Sequence, residues 1–319
     1  HDVGRTHGEA TGELGDGGGD RHGVAGYWCA RRTCDARCVD LAERAEAVLR
    51  ANDRGRYTVP AGHLYPHQWA WDSAFAAIGW STIDPDRALL ELETLFDGTW
   101  PDGRVPHVRF HDLDGEYFPG PPFWGTVDRS TISQPPVWAH AARRVLERGG
   151  DVARVSALLA PIDRSHRWFD ESRDPLGLGL VAIAHPWESG MDNSPAWDTA
   201  LRAVDPADAP PFDRVDTQHV ADPAQRPTDD DYARYAAIVA QIAAAGFGYG
   251  RFAVYDPGMS AILAAADDEL ARLATSLGDD AVAAAAQQRY IRRRTALVDH
   301  LWNGELGRFV AADTRTGER

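Results

Sequence analysis

The chain has 319 residues, 44% of them hydrophobic, and a net charge of −15. That apolar content is enough for a real core, and that acidity excludes nucleic acid and anionic membrane as partners. No apolar run approaches the ~20 residues that span a bilayer, and the N-terminus has no apolar signal core, so a cytoplasmic location is expected.

Residues 1–26 are rich in Gly, Asp and His, lack an apolar period and read as disordered. Residues 27–319 read as one folded domain. Its three cysteines, Cys29, Cys34 and Cys38, are an odd number in one short stretch, which is no disulfide framework, and reduced thiols are expected. Their C-x4-C-x3-C spacing lacks an obvious fourth ligand, so no metal site is expected. All basic residues are arginine, a bias that points to a GC-rich genome.

Helical apolar spacing predicts a helix over Leu41–Asn52 and a buried one over Trp69–Trp80. An amphipathic helix follows over Asp84–Gly98, with Asp84 as cap and Pro85 in its first turn. Residues 99–132 form a long Gly/Pro/aromatic connection, and a loop of that length inside a compact domain is usually functional. Helices are predicted over Ser133–Arg148, Val152–Glu171 and Pro195–Val204. A second long polar loop covers residues 205–228. Helices over Asp229–Ala245, Asp256–Leu277 and Asp279–Trp302 come next, and GRFVAADTRTGER resembles a hairpin. About nine helices with no parallel-strand alternation make an all-α fold class.

The chemistry concentrates in His185–Pro195, HPWESGMDNSP, on a connection between two helices. Two carboxylates, Glu188 and Asp192, flank Gly190 beside the Trp187 indole. A carboxyl held on such a loop against an aromatic ring can stay protonated and donate to a glycosidic oxygen. The same residues also fit a helix entry, with Asp192 or Asn193 as cap. In YPHQWAWDSAF, Trp69 and Asp72 are three apart and would share a helix face, indole for stacking and carboxylate for hydroxyls. A helix N-terminus with Asp72 bonded internally is the competing reading; the crowding of Tyr65, His67, Gln68 and Trp71 favours the sugar clamp. His107, Tyr117 and Trp124 lie in the first long connection, as a lid or as a loop packed on its own aromatics. Gln134, in SQPPVW, either points into a cavity or caps. In RPTDDDY, Arg226 offers a planar fork that matches a carboxylate, or pairs with Asp229–Asp231; Tyr232 follows on the helix.

In order and at sensible spacing, LYPHQWAWDSAF, EYFPGPPFWG, SQPPVW, HPWESGMDNSP and RPTDDDYARY resemble the mannosylglycerate and glucosylglycerate hydrolases of glycoside hydrolase family 63. The resemblance runs from about Leu41 to the C-terminal end. It implies an (α/α)6 barrel of twelve helices, of which about nine are read here, so the C-terminal helices of the catalytic domain 27–319 are expected to be missing. It implies an inverting general acid/base mechanism with Asp192 as general acid and no cofactor. Tyr65, Trp69, Asp72, His107, Gln134 and Trp187 would surround the sugar, with Glu188 beside them. Tyr117, Arg226 and Tyr232 would hold the glycerate end. The family's general base is a glutamate in the C-terminal part of the barrel, and no acidic residue near 303–319 sits in a matching motif. The expected partner is therefore a small-molecule glycoside. A homo-oligomer remains open, as does the choice between glucose and mannose. Alternatives are an α-glucosidase or trehalase-like hydrolase of neutral oligosaccharides, and an inactive sugar-binding fragment without the base.

Overall fold

The computed structural model describes residues 35–62, 64–112, 117–212, 214, 217, 222, 224 and 226–318; for 35–40 it describes the backbone alone. The expectations for residues 1–26, Cys29 and Cys34, and for the Cys38 side chain, lie outside the described residues. The chain divides into two units, His1–Arg44 and Ala45–Arg319. The described part of the first is helical. The second holds the core and the candidate site.

Helix α1 spans Asp35–Asn52 and α2 spans Ala70–Trp80. Helix α3, Pro85–Asp97, begins as its sequence predicts: the Asp84 carboxylate accepts from the Arg87 N–H at 3.0 Å. A short α4, Pro121–Trp124, lies in the first long connection. Helices α5, Trp138–Glu147, and α6, Val152–Ser172, follow. Then come a short α7, Asp198–Arg202, and α8, Asp229–Ala244, which opens with a Thr228/Asp231 capping box. Helices α9, Pro257–Leu277, and α10, Asp280–Ala296, turn back on each other across Gly278, whose φ of +79° is the left-handed C-cap that glycine allows. The chain is mostly helical. Helix α2 packs on α3 and α5, while α9 packs on α5, α6 and α10.

Two-residue strands pin the connections. Strand β1, Gln68–Trp69, pairs antiparallel with β2, Val108–Arg109. Strands β3, Ala182–Ile183, β4, Val254–Tyr255, and β7, Ala312–Asp313, form one antiparallel sheet in the order β3-β4-β7. Strand β5, Trp302–Asn303, pairs antiparallel with β6, Arg308–Phe309; the stretch 307–319 read as a hairpin thus pairs outward, β6 with β5 and β7 with β4.

Several helix boundaries differ from the sequence reading: α1 starts at Asp35 rather than Leu41, and the helix expected over Pro195–Val204 is a 3-10 turn, Pro195–Trp197, followed by α7. Trp69 is extended, φ −92° and ψ 143°, because its backbone pairs with Val108; α2 starts one residue later. The first N–H of α2, on Ala70, is satisfied by the His107 carbonyl at 3.1 Å. Gln134 and Pro135 each precede a proline and are held out of the helical region, so α5 starts at Trp138 rather than Ser133. The last long helix is α-helical only to Ala296 and continues as a π-helical turn, Leu297–Leu301.

Buried ion pairs lock the helices. The Asp267 carboxylate of α9 is fully buried; it meets His166 Nδ1 of α6 at 3.0 Å and Arg289 Nε of α10 at 2.9 Å. Glu91 of α3, also fully buried, accepts from Ser73 at 2.6 Å and Thr58 at 2.8 Å, pairs with Arg87, and lies 3.4 Å from the Gln68 amide. It thereby anchors the residues on either side of the Trp69–Asp72 stretch. No described helix is long and apolar enough to cross a membrane. Among the described residues, no group of three or more His, Cys, Asp and Glu could hold a metal ion.

Candidate active site

The loop bearing Asp192 is built by local hydrogen bonds. After β3, His185 turns the chain: its Nδ1 accepts from the Trp187 N–H at 3.0 Å and its Nε2 meets the Tyr235 carbonyl at 3.1 Å. Burial pushes the His185 imidazole down to about 3, so it is neutral and can accept at Nδ1. Pro186–Ser189 makes one 3-10 turn, and Ser189 Oγ bridges the Pro186 carbonyl and the Met191 N–H. The Asp192 carbonyl accepts from Tyr235 Oη at 3.1 Å and Trp197 Nε1 at 3.2 Å. Its backbone carbonyl is thus held from two sides.

Gly190 has φ +69°, and a Cβ there would overlap the six-membered ring of Trp71. The loop therefore lies directly on the first turn of α2. Gly190→Ala combines left-handed strain with overpacking, at a cost of about 2–3 kcal/mol. A thermal melt that moves by less than a degree would refute this close approach.

Aromatic rings form a continuous wall beside Asp192. Trp69 meets Tyr65 and Tyr117 edge to face, with centroids 5.2 and 5.6 Å apart. His107 lies 6.4 Å from Trp69 and 6.2 Å from Trp124. Trp124 continues to Trp187 at 6.0 Å, and Trp187 to Tyr232 at 6.1 Å and Tyr235 at 5.7 Å. Burial lowers His107 to about 3, leaving a neutral ring. Burial raises the Tyr117 hydroxyl, helped by Tyr65, Tyr232 and Asp192 nearby.

Burial pushes the Asp192 carboxyl up to about 6, against the pull of the Arg226 charge and of its own backbone N–H. Arg226 also acts on Tyr235. Ring contacts thus join Tyr65, Trp69, His107, Tyr117, Trp187 and Tyr232, and the charges of Asp192 and Arg226 act on Tyr235 at the end of that series. At the α8 N-terminus, Asp229 pairs with Arg214 at 2.8 Å.

Three expected site residues are placed differently. Trp69 and Asp72 do not share a helix face, because Trp69 belongs to β1. Asp72, on the first turn of α2, lines a cavity of about 300 Å³ with Asn52, Thr58, Val59, Pro60 and Phe75. Burial raises it to about 6, opposed by hydrogen bonds from its backbone and the Trp71 side chain. Gln134 takes the capping role: its Oε1 accepts from the Trp71 N–H at 3.2 Å. Glu188, 1% exposed, pairs with buried Arg173 at 2.9 Å, because a carboxylate enclosed there must be matched by charge. The sequence reading missed Tyr235, which sits three residues after Tyr232 on the same face of α8; that spacing was the available signal.

Residues 65–319 match the mannosylglycerate hydrolase MGH1-like glycoside hydrolase domain. The chain is 42% identical over 291 residues to a mannosylglycerate hydrolase of Thermus thermophilus, covering 86% of this chain and 69% of that protein. It is 40% identical over 294 residues to mannosylglycerate hydrolase MGH1 of Selaginella moellendorffii, covering 86% and 59%. It is 40% identical over 261 residues to a glucosylglycerate hydrolase of Mycolicibacterium hassiacum, covering 74% and 58%. The chain thus spans between about three fifths and seven tenths of these relatives. The crystal structure of a GH63 mannosylglycerate hydrolase from Thermus thermophilus, in complex with Tris and D-glycerate, superposes with a TM-score of 0.82 at 41% identity, over 87% of this chain and 69% of that one. An aromatic wall around a half-buried carboxyl, together with these matches, places the chain in the MGH1-like glycoside hydrolase family.

Proposed function

We propose that this domain hydrolyses the α-glycosidic bond of glucosylglycerate or mannosylglycerate by inversion, with Asp192 as general acid. The observation that carries the reading is the Asp192 carboxyl, raised to about 6 beside the aromatic wall and within reach of the Arg226 charge. The hexose lies along Trp69, Tyr65, Trp187 and His107, whose indole, phenol and neutral imidazole faces suit a pyranose. The glycerate carboxylate meets Arg226, flanked by Tyr117 and Tyr232. Asp192 delivers its proton to the bridging oxygen as the bond breaks, while water attacks the opposite face of the sugar. The carboxylate that activates this water is assigned to none of the described residues: Glu305 and Glu318 are exposed, and Asp313 pairs with Arg315. Successive packed helices support the finer architecture of an (α/α)6 barrel.

The test is Arg226→Gln in the protein expressed from its whole gene. KM for the glycerate glycosides is expected to rise about 10–100-fold, the scale of a lost charge-assisted contact. The alkaline limb of kcat moves up, since the arginine holds Asp192 down. Hydrolysis of a neutral disaccharide with KM unmoved by the substitution would favour the trehalase-like alternative instead.

A further inference from the structure

Glu188 and Arg173 are the hub that joins the Asp192 loop to the start of α2. Glu188 Oε1 accepts from the Ser133 N–H at 3.1 Å and from Arg173 Nη2 at 2.9 Å. Its Oε2 accepts from the Ala184 N–H at 2.7 Å. Arg173 Nε lies within 3.2 and 3.3 Å of the two oxygens. One carboxylate therefore holds three chain segments: the end of β3, the connection before α5, and the end of α6. The guanidinium is itself fixed, stacked 4.6 Å over Trp168 and 5.4 Å over Tyr249. Residue 133 precedes Gln134, which caps α2 at Trp71, and Trp71 abuts Gly190, two residues before Asp192. The chain of contacts closes on itself: Glu188, Ser133, Gln134, Trp71, Gly190, and back to Glu188.

We infer that Glu188 and Arg173 are positioning residues that hold the Asp192 loop against the first turn of α2 and so set where the acid's proton is delivered. The physical reason is saturation: every oxygen of Glu188 is engaged inside the protein, so it has no capacity for a substrate hydroxyl. A closed ring of contacts defines a loop more tightly than the same bonds in an open chain, and a displacement of about 1 Å at a reacting group is enough to lose roughly 10²-fold in rate.

This inference rests on Asp192 being the acid, so its test reads Asp192 both with and without turnover. Three forms are compared: Glu188→Ala, Glu188→Gln, and the pair Glu188→Met with Arg173→Met, which removes both charges and so keeps the interior balanced. The first measurement is the carboxyl titration of Asp192 by carbon NMR, assigned with Asp192→Asn. The groups facing Asp192 are Arg226, Tyr117 and Tyr235, and none of the three is altered. In folded Glu188→Ala and in the double variant, the Asp192 midpoint is expected to fall by about one unit as the loop opens to water. Second, kcat on the glycerate glycosides is expected to fall about 100-fold with KM within threefold, and Glu188→Gln, which keeps one carbonyl acceptor, to recover part of it. A folded double variant with unchanged Asp192 titration and unchanged kcat overturns the proposal. A KM that rises with kcat intact would make Glu188 a substrate ligand instead, and overturns it too. If the parent protein cleaves neither glycoside, the proposed activity falls, while the titration still decides the positioning role.

Discussion

Asp192→Asn is expected to lower kcat on glucosylglycerate or mannosylglycerate about 10³-fold, within the range that general acid catalysis supplies, and to leave KM nearly unchanged. Asparagine keeps the size of the side chain, and the clamp from Tyr235 and Trp197 reaches the backbone carbonyl, so the loop stays in place. What disappears is the transferable proton. In the parent protein that proton is held by a carboxyl pushed up to about 6 by burial, with Arg226 and the backbone N–H opposing. In the proposed mechanism the working form is the protonated one, so kcat should be flat at low pH on this limb and fall as pH rises through about 6. The variant should lack that limb. A substrate with a leaving group acidic enough to depart unassisted, such as a hexosyl fluoride, should lose far less than 10³-fold. Equal losses on the fluoride and on the natural glycoside would show that Asp192 acts through the fold and not through its proton.

Asp267→Ala is expected to destabilise the domain by about 3–5 kcal/mol, the scale for removing one partner of a buried charge cluster. The substitution strands Arg289, 2.9 Å from the lost carboxylate, and Arg293, 3.7 Å from it, between α6, α9 and α10. Their remaining partners, Asp163 and Asp170, accept at 2.9 and 2.8 Å but do not replace the central charge. Replacing Asp267 and Arg289 together with apolar residues should cost less than the single change, because no unpaired charge is then left behind. The cluster also predicts an acid limb of stability. Burial raises the Asp267 carboxyl, but its hydrogen bond with His166 and the charges of His166, Arg289 and Arg293 outweigh burial and hold it below its ordinary value. A depressed folded pKa contributes fully above the unfolded value near 3.9, and that contribution is lost as pH falls through the folded value. Denaturant melts at pH 6 and pH 3 measure it. An Asp267→Ala protein as acid-sensitive as its parent would remove Asp267 as the cause.

Helix boundaries were legible wherever a capping group and an apolar period coincide, as at Asp84 before α3 and Asp256 before α9, since both signals are local in the chain. The family was legible from motif order. The role of a given polar residue was less legible. Glu188 and Asp192 are four residues apart in one motif, yet one is enclosed by Arg173 from the end of α6 and the other is raised by burial with only Arg226 and its own backbone N–H opposing. Gln134 reads equally well as a cavity group or a cap until Trp71, 63 residues away, supplies its partner.

By itself the sequence determined the helical class, the family, and the loop proposed to carry the acid, because periodicity, caps and motif spacing are written in neighbouring residues. Only the tertiary structure decided which carboxyl is raised and which is paired, where Trp69 leaves the helix for a strand, and why residue 190 must be glycine. Burial and hydrogen-bond partners come from segments distant in the chain, and a carboxylate's chemistry depends on what has been folded around it.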